Sequence, residues 1–213
     1  HIGDRRQRQM CIRDRAQLPT PLQPLRRLQK EVGGPTIWIK RDDLTGCTLT
    51  GNKVRKLEFI LAQAIQDNCG AVITCGGIQS NHCRATAIAA AQLGLQCHLI
   101  LRGTPTDRPA EGNLLLDQLT GTTIGFHSPK DYFDSLDDLF QEQINYYAKK
   151  GIKARAIPTG GSDGVGVWGY ISCYSELMDD INRHGISPGF IVTATGSGGC
   201  LLYTSDAADD LRC

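Results

Sequence analysis

Residues 71–102, AVITCGGIQSNHCRATAIAAAQLGLQCHLILR, decide the fold. Residues 71–75 (AVITC) are a short apolar run rich in strand formers, broken by Gly76 and Gly77. Residues 81–93 are alanine-rich and read as a helix closing at Gly94. Residues 97–102 (CHLILR) form the next strand. Two short strands joined through a helix cannot be a tight hairpin; they predict a parallel pair with a right-handed crossover.

The same alternation continues outward. Upstream, residues 36–40 (TIWIK) alternate like a strand, and residues 41–51 form a turn-rich loop. A helix starts near Asn52, with Leu57, Ile60, Leu61, Ala64 and Ile65 on one apolar face and Gly70 as its stop. Downstream, residues 113–119 read as a helix and 123–127 as a strand. Residues 131–150 read as one long amphipathic helix, with Phe133, Leu136, Leu139, Phe140 and Ile144 on one side and Lys149 and Lys150 at its electronegative end. Ile157 leads into a glycine-rich turn over 159–166, a helix covers 167–184, a strand covers 190–194, and residues 195–199 (TGSGG) are a loop. Helices between short apolar strands predict an α/β domain with a mostly parallel sheet. Such sheets bind ligands at the carboxyl ends of their strands, so the loops after Cys75, Ile157 and Ala194 stand out.

Composition limits the function classes. A chain of 213 residues, 40% hydrophobic, holds one or two domains with a sizeable core. A formal net charge of +1 gives no bulk attraction to nucleic acid or to an anionic membrane. No apolar run approaches the roughly 20 residues that span a bilayer, and the arginines at positions 5, 6 and 8 precede no apolar stretch of the secretory kind. The nine cysteines include no CxxC pair. Cys69, Cys75, Cys83 and Cys97 read as small buried apolar residues of a reducing cytoplasm. Residues 1–15 and 200–213 lack the periodicity of the rest and are expected to be non-native or disordered ends.

Three segments can carry chemistry. In residues 51–58 (GNKVRKLE), Lys53, Arg55 and Lys56 crowd a helix N-terminus, where the macrodipole disfavours cations and something anionic would offset them. Lys53 and Lys56 share a face, so one amine can react while the other pairs with a phosphate; the plain reading is a solvated basic turn. In residues 76–82 (GGIQSNH), Ser80 or Asn81 caps the following helix, and the same open N–H groups would receive a carboxylate. His82 alone is more often a packing residue than an acid–base group. In residues 195–199, Thr195, Gly196, Ser197, Gly198 and Gly199 can converge their backbone N–H groups on a phosphate, or be glycine-rich merely for tightness. Asp42 and Asp43 read as partners of Arg41 or turn residues, not as a metal site. Ser80 lies in no GxSxG, so a serine hydrolase is not supported.

Together these segments resemble the D-cysteine desulfhydrase/1-aminocyclopropane-1-carboxylate deaminase family of fold-type II pyridoxal 5′-phosphate (PLP) enzymes. The resemblance is carried by LPTPL (18–22), IKRDD (39–43), GNKVRKLE, GGIQSNHCR (76–84), GNLLL (112–116), WGY (168–170) and TGSGG. It implies a parallel-sheet large domain made by residues 16–52 and 159–199, with a smaller α/β domain, residues 53–158, inserted in it. It implies that Lys53 holds PLP and acts as base, that Lys56 and residues 195–199 bind its phosphate, and that Asn81 meets its ring hydroxyl. Ser80, Asn81 and His82 would hold the substrate carboxylate, with Ser80 near the reacting carbon. Arg55 would favour the neutral amine of Lys53 if the two lie close. The family's deaminases tend to carry Gln after Ser-Asn; His82 leans towards thiol elimination from a D-amino acid, giving pyruvate, ammonia and a sulfide, with the ring-opening deaminase as the alternative. A homodimer is also implied. The resemblance ends at Cys200, short of the family's C-terminal part, so the chain as written is expected to be poorly active. The other readings are a nucleotide-binding module built on TGSGG, disfavoured because no acidic residue follows at the required spacing, and an inactive fragment.

Overall fold

The computed structural model describes residues 15–105, 109–194, 196 and 198. A two-stranded antiparallel ribbon comes first, β1 (Leu22–Pro24) against β2 (Trp38–Lys40), with Leu22 opposite Lys40 and Pro24 opposite Trp38. A helix between them, α1 (Arg26–Val32), buries no residue, leaving Leu28 and Val32 exposed. It carries no apolar stripe, which is why periodicity does not find it.

The main sheet has four parallel strands in the order β5–β4–β3–β6: β3 is Ala71–Gly77, β4 Gln96–Arg102, β5 Thr123–His127 and β6 Ala154–Ile157. Two helices cover one face, α2 (Lys53–Gln66) and α3 (Asn81–Gln92). Their Val54, Leu57, Ile60, Leu61, Ala85 and Ile88 join Val72, Leu99 and Leu101 in one core. The helix α4 (Gly112–Leu119) packs on α3. On the opposite face, Ala71, Ile73, Cys75 and Ile100 meet Tyr132 of α5 (Pro129–Asp134) and Tyr147, Leu139, Phe140 and Ile144 of α6 (Leu136–Lys149). A central strand covered on both faces buries residues 71–76 without alternation, so residues 71–75 read as a continuous apolar run. The last helix, α7 (Trp168–His184), lies on α2, and a Cβ on Gly169 would come within 2.3 Å of the Arg55 carbonyl oxygen. Only glycine lets the two backbones approach so closely.

Three expectations are corrected. The helix predicted over residues 131–150 is two helices, broken at Ser135 (φ −133°, ψ 23°), and Phe133 is 66% exposed rather than on the apolar face. The break shifts the helical phase, and the Arg102 guanidinium sits 4.8 Å from the Phe133 ring centre. The stop of α2 is Asn68, in the left-handed region at φ 57°, two residues ahead of Gly70. Residues 190–194 form no strand: they are irregular and exposed, with Phe190 and Val192 each 92% accessible. A strand needs a hydrogen-bonding neighbour, and none pairs with this segment among the described residues. No helix among the described residues is long and apolar enough to cross a membrane.

Candidate active site

Chain order makes one crevice special. From β3 the chain passes through α3 to β4 on one side, while β6 lies on the other side of β3. The carboxyl ends of β3 and β6 therefore flank a topological switch point, where open parallel sheets bind ligands. Three backbone segments meet there: the start of α3, the 3-10 turn Thr159–Gly161 that follows β6, and the start of α2.

The loop after β3 is built by glycine and a cap. Ser80 caps α3, its Oγ accepting from the Cys83 amide at 3.2 Å. A Cβ on Gly76 would lie 2.6 Å from that Oγ and 2.8 Å from Cys83 Sγ, so the strand end must lack a side chain for the capped turn to fold over it. Asn81, the first residue of α3, reaches across to the start of α2. Its Nδ2 lies 2.8 Å from where a Gly51 Cβ would be, and Gly51 has φ +95°, a conformation that favours glycine. Lys53 is half-buried at the first position of α2, two residues beyond Gly51.

Lys56 is buried one turn further along α2, and its Nζ donates to the Gly160 carbonyl at 3.2 Å and to Ser162 Oγ at 2.9 Å. This turn runs through two successive left-handed glycines, Gly160 (φ 68°) and Gly161 (φ 62°), and Gly161 leaves room for His82 Cε1, 3.4 Å from its absent Cβ. Both glycines lie in the glycine-rich turn over 159–166, the loop after Ile157 that the sequence marks as a ligand loop.

His82 is 4% exposed. The Thr74 hydroxyl donates to the Ile157 carbonyl at 2.9 Å, so it can only accept from His82 Nε2, 2.8 Å away. The imidazole is therefore the neutral Nε2–H tautomer, with Nδ1 buried and unpartnered among the described residues. Burial, then the nearby charges of Lys53 and Lys56, depress its pKa to about 3.

Arg55 faces away from this cluster. Its guanidinium pairs with Asp42 at 2.8 Å and Glu176 at 2.9 Å and donates to Thr20 Oγ1 at 2.9 Å. Burial alone would lower its pKa, but these acceptors outweigh burial and raise it. Two carboxylates offset the charge of Arg55, so it is not the group that would keep Lys53 neutral. The anions expected at this helix start are Asp42 and Glu176, on the side of Arg55. Asp43 pairs with Arg41 at 2.7 Å, as expected for a turn residue.

Of the predicted phosphate loop, Thr195, Ser197 and Gly199 lie outside the described residues. Gly196 and Gly198 are described, and a Cβ on either would meet nothing within 4 Å. The segments that carry Lys53, Lys56, Ser80, Asn81 and His82 thus meet at the switch point. No cluster of three or more His, Cys, Asp or Glu with metal-site geometry occurs among the described residues. A groove of about 230 Å³ lined by Gln96, Cys97 and Thr123 opens at the opposite, amino ends of β4 and β5 and holds none of these residues.

A parallel sheet with Lys53, Lys56 and Asn81 on the turns around its switch point fits an α/β enzyme of the fold-type II PLP class. The profile of the family described as pyridoxal-phosphate dependent enzyme matches residues 14–204, and the chain belongs to that family. It is 43% identical over 200 residues to the bifunctional D-cysteine desulfhydrase/1-aminocyclopropane-1-carboxylate deaminase, mitochondrial, of Arabidopsis thaliana, covering 89% of this chain and 49% of that one. It is 42% identical to a putative 1-aminocyclopropane-1-carboxylate deaminase of Thermotoga maritima, covering 88% and 58%. The crystal structure of an ACC deaminase homologue superposes with a TM-score of 0.75 at 36% identity, covering 88% and 55%. The chain spans about half the length of the curated relatives it matches.

The residues present fit PLP. The half-buried Lys53 is a primary amine at a helix start, Gly51 and Gly76 let the polar side chains of Asn81 and Ser80 pack close against the backbone beside it, and His82 Nδ1 is a buried acceptor without a partner among the described residues.

Proposed function

We propose that this chain carries the cofactor-holding part of a PLP-dependent lyase that removes a β-thiol from a small D-amino acid, with pyruvate, ammonia and sulfide as products. The observation that carries the reading is the packing of Asn81 against Gly51, two residues before Lys53, with Ser80 packed against Gly76 at the same strand end. In this reading residues 53–158 are the smaller domain, and 16–52 and 159–199 are parts of a larger one.

When bound, PLP supplies an electron sink for charge that develops at the substrate α-carbon. Lys53 would hold the cofactor through its Nζ, and the same Nζ would be the base for the substrate α-proton. The start of α3 receives the substrate carboxylate, because its first N–H groups and the helix dipole favour an anion there. Ser80 keeps that turn in shape and presents its hydroxyl beside the reacting carbon. Asn81 meets the ring oxygen of the cofactor. Lys56 and residues 195–199 contribute to the phosphate site. His82, neutral down to about pH 3, brings no extra charge to the carboxylate site. The free, buried Cys69, Cys75, Cys83, Cys97 and Cys173 support a reducing cytoplasm. Homodimerisation belongs to the same reading. Ring-opening deamination of 1-aminocyclopropane-1-carboxylate is the second reading, supported by the name of the Thermotoga maritima relative.

The test is protection of Lys53. The purified chain is incubated with PLP and reduced with borohydride, alone and with S-methyl-D-cysteine, its L-enantiomer or 1-aminocyclopropane-1-carboxylate. Selective loss of the Lys53 label with the D-thioether is the expected result. Equal protection by both enantiomers contradicts the D-amino-acid reading, and protection only by the cyclopropane favours the deaminase.

A further inference from the structure

Arg84 sits one helical turn into α3, in the GGIQSNHCR stretch, and has no use in the site as described. Its Nη2 donates to two acceptors at once: the Thr50 carbonyl at 2.8 Å, and Asn81 Oδ1. Thr50 lies three residues before Lys53, so a single guanidinium nitrogen ties the first turn of α3 to the chain leading into α2. Thr45 reinforces that lead-in, its Oγ1 lying 3.1 Å from the Gly51 carbonyl.

The consequence for Asn81 follows from donor chemistry. A guanidinium donates only, so the amide oxygen of Asn81 must face Arg84 and the NH₂ must face the other way. That other way is Gly51, where the absent Cβ leaves Nδ2 its place. The orientation of the amide is thus set by Arg84 and kept by Gly51. The Arg84 Nε is buried and has no hydrogen-bond partner among the described residues, and the nearby charge of Asp117 favours the guanidinium cation.

We infer that Arg84 is a positioning residue for the cofactor site: it locks the Asn81 amide so that an N–H donor faces the Lys53 side, and the group that Asn81 meets there must be a hydrogen-bond acceptor. This rests on the PLP reading only for the identity of that acceptor, the ring oxygen of the cofactor, which would be held deprotonated. Without Arg84 the amide can flip and offer its oxygen instead, which favours the protonated ring hydroxyl.

Two readouts on the same variants separate the clamp from the cofactor reading. In the cofactor-free chain, the side-chain NH₂ of Asn81 is followed by ¹⁵N-correlated NMR, assigned by its disappearance in Asn81→Asp. A dispersed, slowly exchanging pair is expected in the parent, moving to free-amide positions in Arg84→Met while the backbone spectrum stays folded. Arg84→Lys, which retains a donor and the charge, guards against a variant that does not fold and is expected to recover part of the dispersion. With PLP added, Arg84→Met is expected to shift the visible absorbance band and its pH midpoint and to slow borohydride-fixed labelling at Lys53 about tenfold, the worth of one charge-assisted hydrogen bond. An Asn81 NH₂ signal unchanged in both Arg84 variants overturns the clamp. A moved NH₂ signal with an unshifted absorbance band at a labelled Lys53 overturns its role towards the cofactor. If the parent itself takes no label at Lys53, the PLP reading fails, and the NMR result still decides the clamp.

Discussion

Replacing Asp117 with Asn should change how stability depends on pH, in a direction the structure fixes. Asp117 is fully buried on α4, and neither carboxylate oxygen has a partner among the described residues. The groups bearing on it are Arg84 and Cys83 of α3 and Cys97 of β4. Burial pushes its pKa up to about 7, with Arg84 opposing only in part. Unfolded, the same carboxyl ionises near its ordinary value of about 4. Between these values the folded chain holds a proton that the unfolded chain has released. The contribution of Asp117 to stability is therefore fully present below about pH 4, falls as pH rises, and is lost by about pH 7. Three pH units correspond to at most about 4 kcal/mol, of which the two units between pH 5 and pH 7 carry at most about 2–3 kcal/mol.

Asn keeps the shape and cannot ionise, so Asp117→Asn removes this fall. Urea unfolding of both chains at pH 5 and pH 8 measures it. His82 and His98, depressed to about 3 and about 4, work in the opposite direction, since their unfolded forms gain protons below about pH 6.5. They are common to both chains and cancel in the difference. The amide of Asn adds a constant offset, so the quantity that decides is the change in the variant-minus-parent difference. That difference should become more favourable by about 2 kcal/mol from pH 5 to pH 8. A difference that does not vary with pH, or that turns against the variant at pH 8, would mean that Asp117 is ionised and paired with Arg84, and would refute the reasoning.

The remaining predictions are more local. Arg55→Met should cost about 3 kcal/mol in urea unfolding, because it removes the buried cation between Asp42 and Glu176 and leaves them only Thr20 and Lys40 as partners among the described residues. Gly76→Ala should destabilise the chain by about 1–3 kcal/mol, since its Cβ would displace the Ser80 cap from 2.6 Å; a thermal midpoint equal to that of the parent would contradict the packing. Gly51→Ala should suppress borohydride-fixed PLP labelling of Lys53 out of proportion to its effect on stability, because strain at φ +95° and the clash with Asn81 both fall on the site. Asp43→Asn should leave the unfolding midpoint unchanged, its ion pair with Arg41 lying at the surface.

The sheet was legible because its central strands are buried on both faces and their helices carry apolar stripes: residues 71–75, 97–102 and 123–127 each fall within an observed strand. The ribbon β1 and helix α1 were not, because Leu22–Pro24 is only three residues long and Arg26–Val32 buries nothing. Residues 190–194 show the reverse failure: a β-rich run states a preference, but only a neighbouring strand makes it a strand. In the site, Ser80 as cap and Lys53 at a helix start followed from local rules. The tautomer of His82, the Arg55 network and the Arg84 clamp did not. Each depends on a partner 8 to 121 residues away or on a backbone carbonyl, neither of which leaves a mark in spacing.

The central claim is that Lys53 is the amine that holds PLP. Incubating the chain with PLP, reducing with borohydride and locating the pyridoxyl group by peptide mass spectrometry tests it directly. The account predicts a label confined to Lys53 and absent from Lys53→Ala; selective labelling of Lys56 or of any other lysine would contradict it.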